Sequence, residues 1–220
     1  MAKTRKSEKV GQDQGTLDYV GPEKSFIPRI DLISYGAEGL VEKRLDISQP
    51  APVLHKKHLY WLRITGIHDL NVVQRVGEWF QLHPLYLEDV VDTTQRPKWD
   101  EFDHRIFLLL KSVSHQEVTE TLRIEQLSII WGDNYVITFQ ESEENIWESV
   151  LSRVRMGRGR LRRGGSDFLV VTLLDAVVDA YFLSLDMIGQ EVERLEGVLM
   201  DSQKESILVD MYSLRQEAVH

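Results

Sequence analysis

All six prolines of this 220-residue chain fall in its first half, and this asymmetry constrains the fold more than any other feature. Proline lacks the backbone N–H that helices and central strands need, so elements near a proline stay short. After Pro97 the chain is free to form long, uninterrupted elements. The sequence therefore predicts short elements first, and long strands and helices afterwards.

Stretches rich in β-branched and aromatic residues predict six strands, and 3.6-residue periodicity predicts four helices. Gly132, Asp133 and Asn134 form a predicted hairpin turn between the last two strands. The predicted strands span residues 16–20, 27–35, 59–65, 104–113, 122–131 and 135–140, and the predicted helices span 69–81, 84–92, 143–156 and 167–200.

A further helical repeat begins near Ser202, and no Gly, Asn or Pro stop signal precedes His220. We therefore expect the natural chain to continue beyond this residue. The pattern indicates an α/β (α+β) fold, an α/β/α sandwich with a mostly antiparallel central sheet, followed by a long helical hairpin. The expected organisation is a flexible tail over 1–15, the α/β/α domain over 16–163 and long helices over 164–220.

The composition narrows the classes of function. The chain has no cysteine, which excludes a disulfide scaffold, a thiolate metal site and a cysteine nucleophile, and favours a reducing compartment. Its net charge of −9 opposes binding to nucleic acid and favours cations or basic partners. The sequence contains neither a Gly-x-Ser-x-Gly elbow nor a His-Glu-x-x-His motif, so we expect no enzyme of those classes.

The segment 168–188 is rich in Leu, Ile, Val and Phe, but it also contains Asp175, Asp179 and Asp186. A central aspartate costs roughly 2.5–3.5 kcal/mol on membrane insertion, whereas each large apolar residue contributes only about 0.3–0.6 kcal/mol. The free energy of membrane insertion would therefore be close to zero, so we interpret the segment as a soluble helix.

Three carboxylates, those of Glu88, Asp89 and Asp92, share one face of the predicted helix over 84–92. One interpretation is a solvated face that Arg96 and Lys98 balance. The alternative is a site for a hard, oxygen-seeking cation such as Mg²⁺.

On the long helix, Asp175 and Asp179 belong to a narrow polar stripe on an otherwise apolar cylinder, which we expect to be buried elsewhere. The stripe by itself is typical of a water-facing line. Asp175 and Asp179 lie among Leu, Val and Ala residues, where carboxylates are costly unless they are paired or bind a cation.

Six arginines occur within residues 153–163. Such a cluster contacts phosphate or lipid headgroups in some proteins. The simpler interpretation is a basic helix end and loop, because cations are favourable at a helix C-terminus and the acidic surface supplies partners.

Several segments occur in a fixed order along the chain, and their combination is more specific than any one of them. They include 61–68, 72–80, His83-Pro84-Leu85-Tyr86-Leu87-Glu88-Asp89, Gln95-Arg96-Pro97-Lys98, 124–128, the arginine-rich stretch and 173–182. Together these segments cover roughly residues 15–220 and resemble the CorA family of divalent-cation transporters.

The resemblance implies a cytoplasmic α/β/α domain whose helices lead into a stalk and two membrane spans. Family members are homopentameric channels for Mg²⁺, with Co²⁺ and Ni²⁺ carried by some. This sequence contains no Gly-Met-Asn motif, so we expect it to be the soluble part of such a transporter, on the cytoplasmic side of the cell membrane.

The resemblance also implies regulatory Mg²⁺ sites between neighbouring subunits, which hold the pentamer closed. Asp89 matches the first interface ligand, and Glu88 and Asp175 match an adjacent cation position. Asp179 is included as a neighbour by helical proximity alone.

Two alternatives stay open. The first is a zinc-type member of the same superfamily, although Glu88-Asp89 together with Gln95-Arg96-Pro97-Lys98 favours the magnesium branch. The second is a soluble metal-dependent hydrolase that uses Glu88, Asp89 and Asp175 as ligands. The preferred ion, the direction of transport and the oligomeric state of this region do not follow from the sequence.

Overall fold

The structure, a computed structural model, describes residues 17–36, 39–116, 121–157 and 160–201. The predicted flexible tail over 1–15 and the helix expected after Ser202 lie outside the described residues. The strands are β1 (Arg29–Gly36), β2 (Gly39–Leu45), β3 (Leu59–Thr65), β4 (Lys98–Phe102), β5 (Arg105–Gln116), β6 (Thr121–Trp131) and β7 (Tyr135–Gln140). The helices are α1 (Leu70–Phe80), α2 (Pro84–Val91), α3 (Glu148–Met156) and α4 (Ser166–Asp201).

The seven strands form one sheet in the order β2-β1-β3-β7-β6-β5-β4. Only β3 and β7 pair in parallel, and every other neighbouring pair is antiparallel. All seven residues of β3 are buried, because helices cover both faces of the sheet and the strand therefore shows no polar alternation. The predicted mostly antiparallel sheet is confirmed.

Helices cover both faces of the sheet. On one face α1 and α2 pack Val73, Val76 and Val90 against strand residues such as Ile64. On the other face, α3 and α4 pack against a core that includes Trp61. This arrangement confirms the predicted α/β/α layering. It also places α2 and α4 on opposite sides of the sheet.

The helix α4 has 36 residues, which corresponds to about 54 Å at 1.5 Å per residue. Its first turns are buried against the sheet through residues such as Leu169, Leu173 and Val177. Farther along, Phe182 and Leu185 are 61% and 60% exposed, so the expectation that only a polar stripe is exposed is wrong. The helix extends past the layer that its first half covers.

The segment Ser166–Gly197 is long and apolar enough to cross a membrane when only length and composition are considered. The burial of its first half against the sheet of the same chain supports our interpretation of a helix of the soluble domain.

Two predicted elements are corrected. In the predicted strand over 16–20, Val20 makes only an isolated bridge to Asp92, because Gly21 and Pro22 interrupt the strand at once. The helix predicted over 143–156 begins at Glu148, since the Gln140 side chain binds the preceding loop by donating to the carbonyls of Ser142 and Glu144.

The edge strands β2 and β4 were not predicted. All five residues of β4 and four of the seven residues of β2 are exposed. Their charged sequences lack the alternation of a half-buried strand, and charge is common where a sheet edge must avoid further pairing.

Candidate cation site

The sequence before α2 positions its acidic residues. His83 caps the helix, because its Nδ1 accepts a hydrogen bond from the Leu85 N–H at 3.2 Å, and Pro84 occupies the first helical turn. Tyr86, Leu87, Val90 and Val91 face the core. This orientation leaves Glu88 and Asp89 half-buried at the surface of the domain.

The carboxylate of Asp89 is held by a lysine. The Lys98 Nζ lies 2.6 Å from the Asp89 Oδ2, and the Asp89 side chain is 18% exposed. Lys98 begins the edge strand β4, so the strand that the sequence did not predict supplies the counter-ion. A cation that binds Asp89 must therefore displace or share this ammonium group.

Asp92 differs from its two neighbours on α2. It is buried, and its carboxylate accepts hydrogen bonds from the Thr94 N–H at 3.1 Å, the Thr94 hydroxyl at 2.7 Å and the Gln95 amide at 3.0 Å. The prediction that three carboxylates share one surface face is therefore wrong for Asp92, because this residue stabilises the turn after the helix.

Gln126 of β6 fixes the end of α2, and our sequence reasoning gave it no role. Its amide donates to the Asp89 carbonyl at 2.9 Å and to the Val90 carbonyl at 3.2 Å. Its Oε1 accepts a bond of 3.4 Å from Lys111. The sequence could have indicated this role, because Gln126 stands among apolar residues of a predicted strand and a buried amide needs hydrogen-bond partners.

Asp175 and Asp179 are both exposed on α4, which contradicts the expectation of a costly apolar environment for them. Asp179 lines a cleft of about 530 Å³ between α4 and the sheet, together with Glu125 and Glu144. The two aspartates are one helical turn apart. Their carboxylates face solvent, so no protein partner is needed to offset a burial cost.

The four sequence-predicted ligands do not meet in one chain. Glu88 and Asp89 lie on α2, and Asp175 and Asp179 lie on α4, with the sheet between them. Within the described ranges, no group of three His, Asp or Glu side chains is arranged to hold a metal ion. Carboxylate oxygens are typical ligands of a hard cation, but in a single chain these carboxylates lie on two separate sides of the domain.

A second acidic cluster lies within the domain beneath the N-terminal segment. Glu125 binds Lys24 at 3.1 Å, Arg123 at 2.5 Å and the Ser142 hydroxyl. Glu141 accepts the Gln126 N–H at 2.5 Å. Burial raises the pKa of the Glu141 carboxyl above its ordinary value, and the negative charge of Glu125 acts in the same direction. These pairings tie β6 to the segment before β1.

The arginine-rich segment forms a basic helix end, as the simpler interpretation predicted. Arg162 donates to the Val154 and Arg155 carbonyls, both at 2.7 Å, at the C-terminus of α3. Arg155 makes a bidentate ion pair with Glu42, with contacts of 2.7 and 2.8 Å. Its residues 158 and 159 lie outside the described part of the chain.

Comparison with known proteins decides the family. The sequence model of the family described as CorA-like Mg²⁺ transporter protein matches residues 56–220. The chain belongs to the CorA family. It is 35% identical, over 220 residues, to the cobalt/magnesium transport protein CorA of Thermotoga maritima, and it covers 62% of that relative's length.

Solved structures of the CorA family share the fold. The soluble domain of CorA from Methanocaldococcus jannaschii matches with a TM-score of 0.66 at 18% identity, over 86% of this chain and 72% of that one. The ZntB cytoplasmic domain from Vibrio parahaemolyticus matches with a TM-score of 0.63 at 9% identity, again over 86% and 72%. At these identities the likeness concerns the fold alone. The name of the Thermotoga relative describes transport.

Proposed function

We propose that this CorA-family region is the cation-sensing cytoplasmic part of a homopentameric Mg²⁺ channel, in which Mg²⁺ bound between subunits stabilises the closed state. Asp89 is the first interface ligand. Glu88 and Asp175 serve an adjacent position, and Asp179 is their neighbour. Co²⁺ is a further ion for the same sites and pore, in keeping with the name of the Thermotoga relative.

One observation carries the proposal: the candidate ligands lie on opposite sides of the sheet. Glu88 and Asp89 project from α2 on one side, and Asp175 projects from α4 on the other. A ring of identical subunits can place the α2 side of one subunit beside the α4 side of the next. The site would then be completed by association.

The chemistry suits a sensor. Mg²⁺ releases its water reluctantly and is commonly held by one or two carboxylates with several waters retained. Half-exposed carboxylates at a wet interface therefore bind it weakly enough to release it. When the ion leaves, carboxylates on adjoining subunits repel each other, and the closed arrangement loses its stabilisation.

In this proposal residues 16–163 form the sensing domain, and residues 164–220 lead toward a stalk and membrane spans outside this chain. The sensing domain then lies on the cytoplasmic side of the membrane. The partners are identical subunits and divalent cations, and no nucleic acid is involved.

The protein-concentration dependence of Mg²⁺ protection tests the interface. If Mg²⁺ bridges subunits, millimolar Mg²⁺ should raise the melting temperature of this chain more at high protein concentration than at low concentration, because mass action couples ion binding to association. Asp89→Asn should remove that difference, and Asp186→Asn, which alters an exposed aspartate elsewhere on α4, should retain it.

A shift that is independent of protein concentration and persists in Asp89→Asn would overturn the interface site. Zn²⁺ that protects at lower concentration than Mg²⁺, and equally in Asp89→Asn, would favour the zinc-type alternative. In the intact transporter, Asp89→Asn and Asp175→Asn should weaken closure by cytosolic Mg²⁺ and leave permeation in place.

A further inference from the structure

A second charged feature lies far from the carboxylates of α2, in a cleft of about 420 Å³ between the β1-β2-β3 edge of the sheet and α3. The cleft is lined by Asp31, Ile33, Glu42, Lys43, Arg44, Arg63 and Arg155. Three arginine side chains thus face two carboxylates in a chain whose net charge is −9, whereas the Lys43 side chain points to the opposite face of β2. The cleft is a local positive site on an acidic protein.

Arg63 is the unusual member of this set. It is 5% exposed, and its Nη2 donates to the Asn145 Oδ1 at 2.9 Å. A guanidinium has five N–H donors, and the buried Nε of Arg63 has no hydrogen-bond acceptor in the described part of the chain, although the guanidinium carbon lies 5.4 Å from the centre of the Trp61 ring. Among the described residues, no carboxylate lies within 4.0 Å of it. A buried cation without a direct ion pair is costly. The negative charge of Asp31, opposite Arg63 on β1, offsets part of that cost, and a ligand that supplies further negative charge would relieve more of it.

The other arginines of the cleft already have carboxylate partners. Arg155 binds Glu42 through two contacts of 2.7 and 2.8 Å, and the Arg44 Nε lies 3.2 Å from the Asp31 Oδ1. The two carboxylates are therefore neutralised at the rim, and the charge of Arg63 remains at the floor. The Arg44 side chain is 68% exposed, so it can turn toward a ligand at little cost.

We propose that this cleft binds a soluble anion that carries two or more phosphate groups. Guanidinium groups match the paired oxygens of phosphate in shape and charge. Two or more phosphate groups are required, because the ligand must reach Arg63 and also compete with Asp31 and Glu42 for the rim arginines. A headgroup in a flat bilayer is disfavoured, since Arg63 lies at the floor of a concave cleft.

Inorganic pyrophosphate is the probe, titrated by calorimetry into this chain in metal-free buffer so that chelation of Mg²⁺ does not contribute. Wild-type protein should show saturable binding, and sulfate at the same concentrations should not compete effectively. Arg44→Gln should weaken binding about tenfold, the scale of one lost charge-assisted contact. Arg153→Gln is the matched control, because Arg153 is exposed on α3 outside the cleft.

Glu42→Gln should change the affinity for pyrophosphate in the opposite direction. It releases Arg155 and removes a repelling charge, so pyrophosphate should bind more tightly to this variant. The proposal is overturned if millimolar pyrophosphate does not bind, if Arg153→Gln weakens binding as much as Arg44→Gln, or if Glu42→Gln also weakens it. It is equally overturned if the chain co-floats with phosphatidylglycerol vesicles, Arg44→Gln abolishes this co-flotation, and the chain does not bind pyrophosphate.

Discussion

The carboxylates of α2 and those of α4 have similar spacing in the sequence, but they have different surroundings in the structure. On α2, Asp89 is paired with Lys98. At the C-terminal cap of the same helix, Asp92 is buried and its carboxylate accepts three hydrogen bonds. On α4, Asp175 and Asp179 face solvent. Strands and loops beside the short helix supply partners to its carboxylates, whereas Asp175 and Asp179 lie outside the buried stripe through which the long helix packs against the sheet. Helical spacing alone therefore does not show whether a carboxylate already has an ion-pair or hydrogen-bond partner.

The largest expected effect concerns how α4 is attached. Leu173 is fully buried, so Leu173→Ala should lower the free energy of unfolding by about 2–5 kcal/mol through lost contacts and a cavity. Phe182→Ala is the control at a 61% exposed position, and it should change stability by less than about 0.5 kcal/mol. Urea denaturation measures both. Equal losses would show that the second half of α4 is packed as well as the first.

Asp92→Ala tests whether α2 depends on its buried carboxylate. It leaves the Thr94 and Gln95 donors without their acceptor and should cost about 1–3 kcal/mol. Asp175→Ala, at an exposed site, should stay within about 0.5 kcal/mol of wild type. Thermal unfolding provides the measurement, and an Asp175→Ala cost as large as that of Asp92→Ala would contradict the contrast between the helices.

Lys98 should compete with Mg²⁺ for Asp89. Lys98→Met frees the carboxylate from a contact of 2.6 Å. A partly exposed ion pair contributes about 0.2–1 kcal/mol, so Mg²⁺ should bind up to about fivefold more tightly.

The Mg²⁺ concentration at half-maximal thermal protection reports this change, and Lys57→Met, at an exposed loop lysine, is the matched control. Unchanged or weaker Mg²⁺ binding in Lys98→Met alone would mean that Lys98 does not oppose the ion.

Glu141 provides a third kind of carboxylate, which is buried and has only a modest expected effect. Its pKa is raised in the folded state, chiefly by burial, so folding favours its protonated form. Its contribution to stability should therefore grow as the pH falls from neutral toward the ordinary value of 4.5, and decline as the pH rises.

Glu141→Gln keeps an oxygen acceptor for the Gln126 N–H and should flatten this part of the pH–stability curve. Melting temperatures between pH 4.5 and 8 would measure it. A curve that keeps its wild-type slope would assign the pH dependence to other groups.

Much of the fold followed from local pattern. The β-branched and aromatic residues of β3 and the turn at Gly132 each act within a few residues. The edge strands β2 and β4 did not follow, because exposed strands owe their conformation to the neighbour they pair with.

The sequence by itself determined the α/β/α layering, the family and which carboxylates to consider, since burial periodicity and ordered motifs are properties of the chain. Only the tertiary structure decided the state of each carboxylate. Lys98 lies nine residues beyond Asp89 and meets it only because β4 joins the edge of the sheet. Asp175 remains exposed because it lies outside the stripe of α4 residues, including Leu173 and Val177, that packs against the sheet. Charge pairing and desolvation depend on distances in space, which spacing along a chain does not fix.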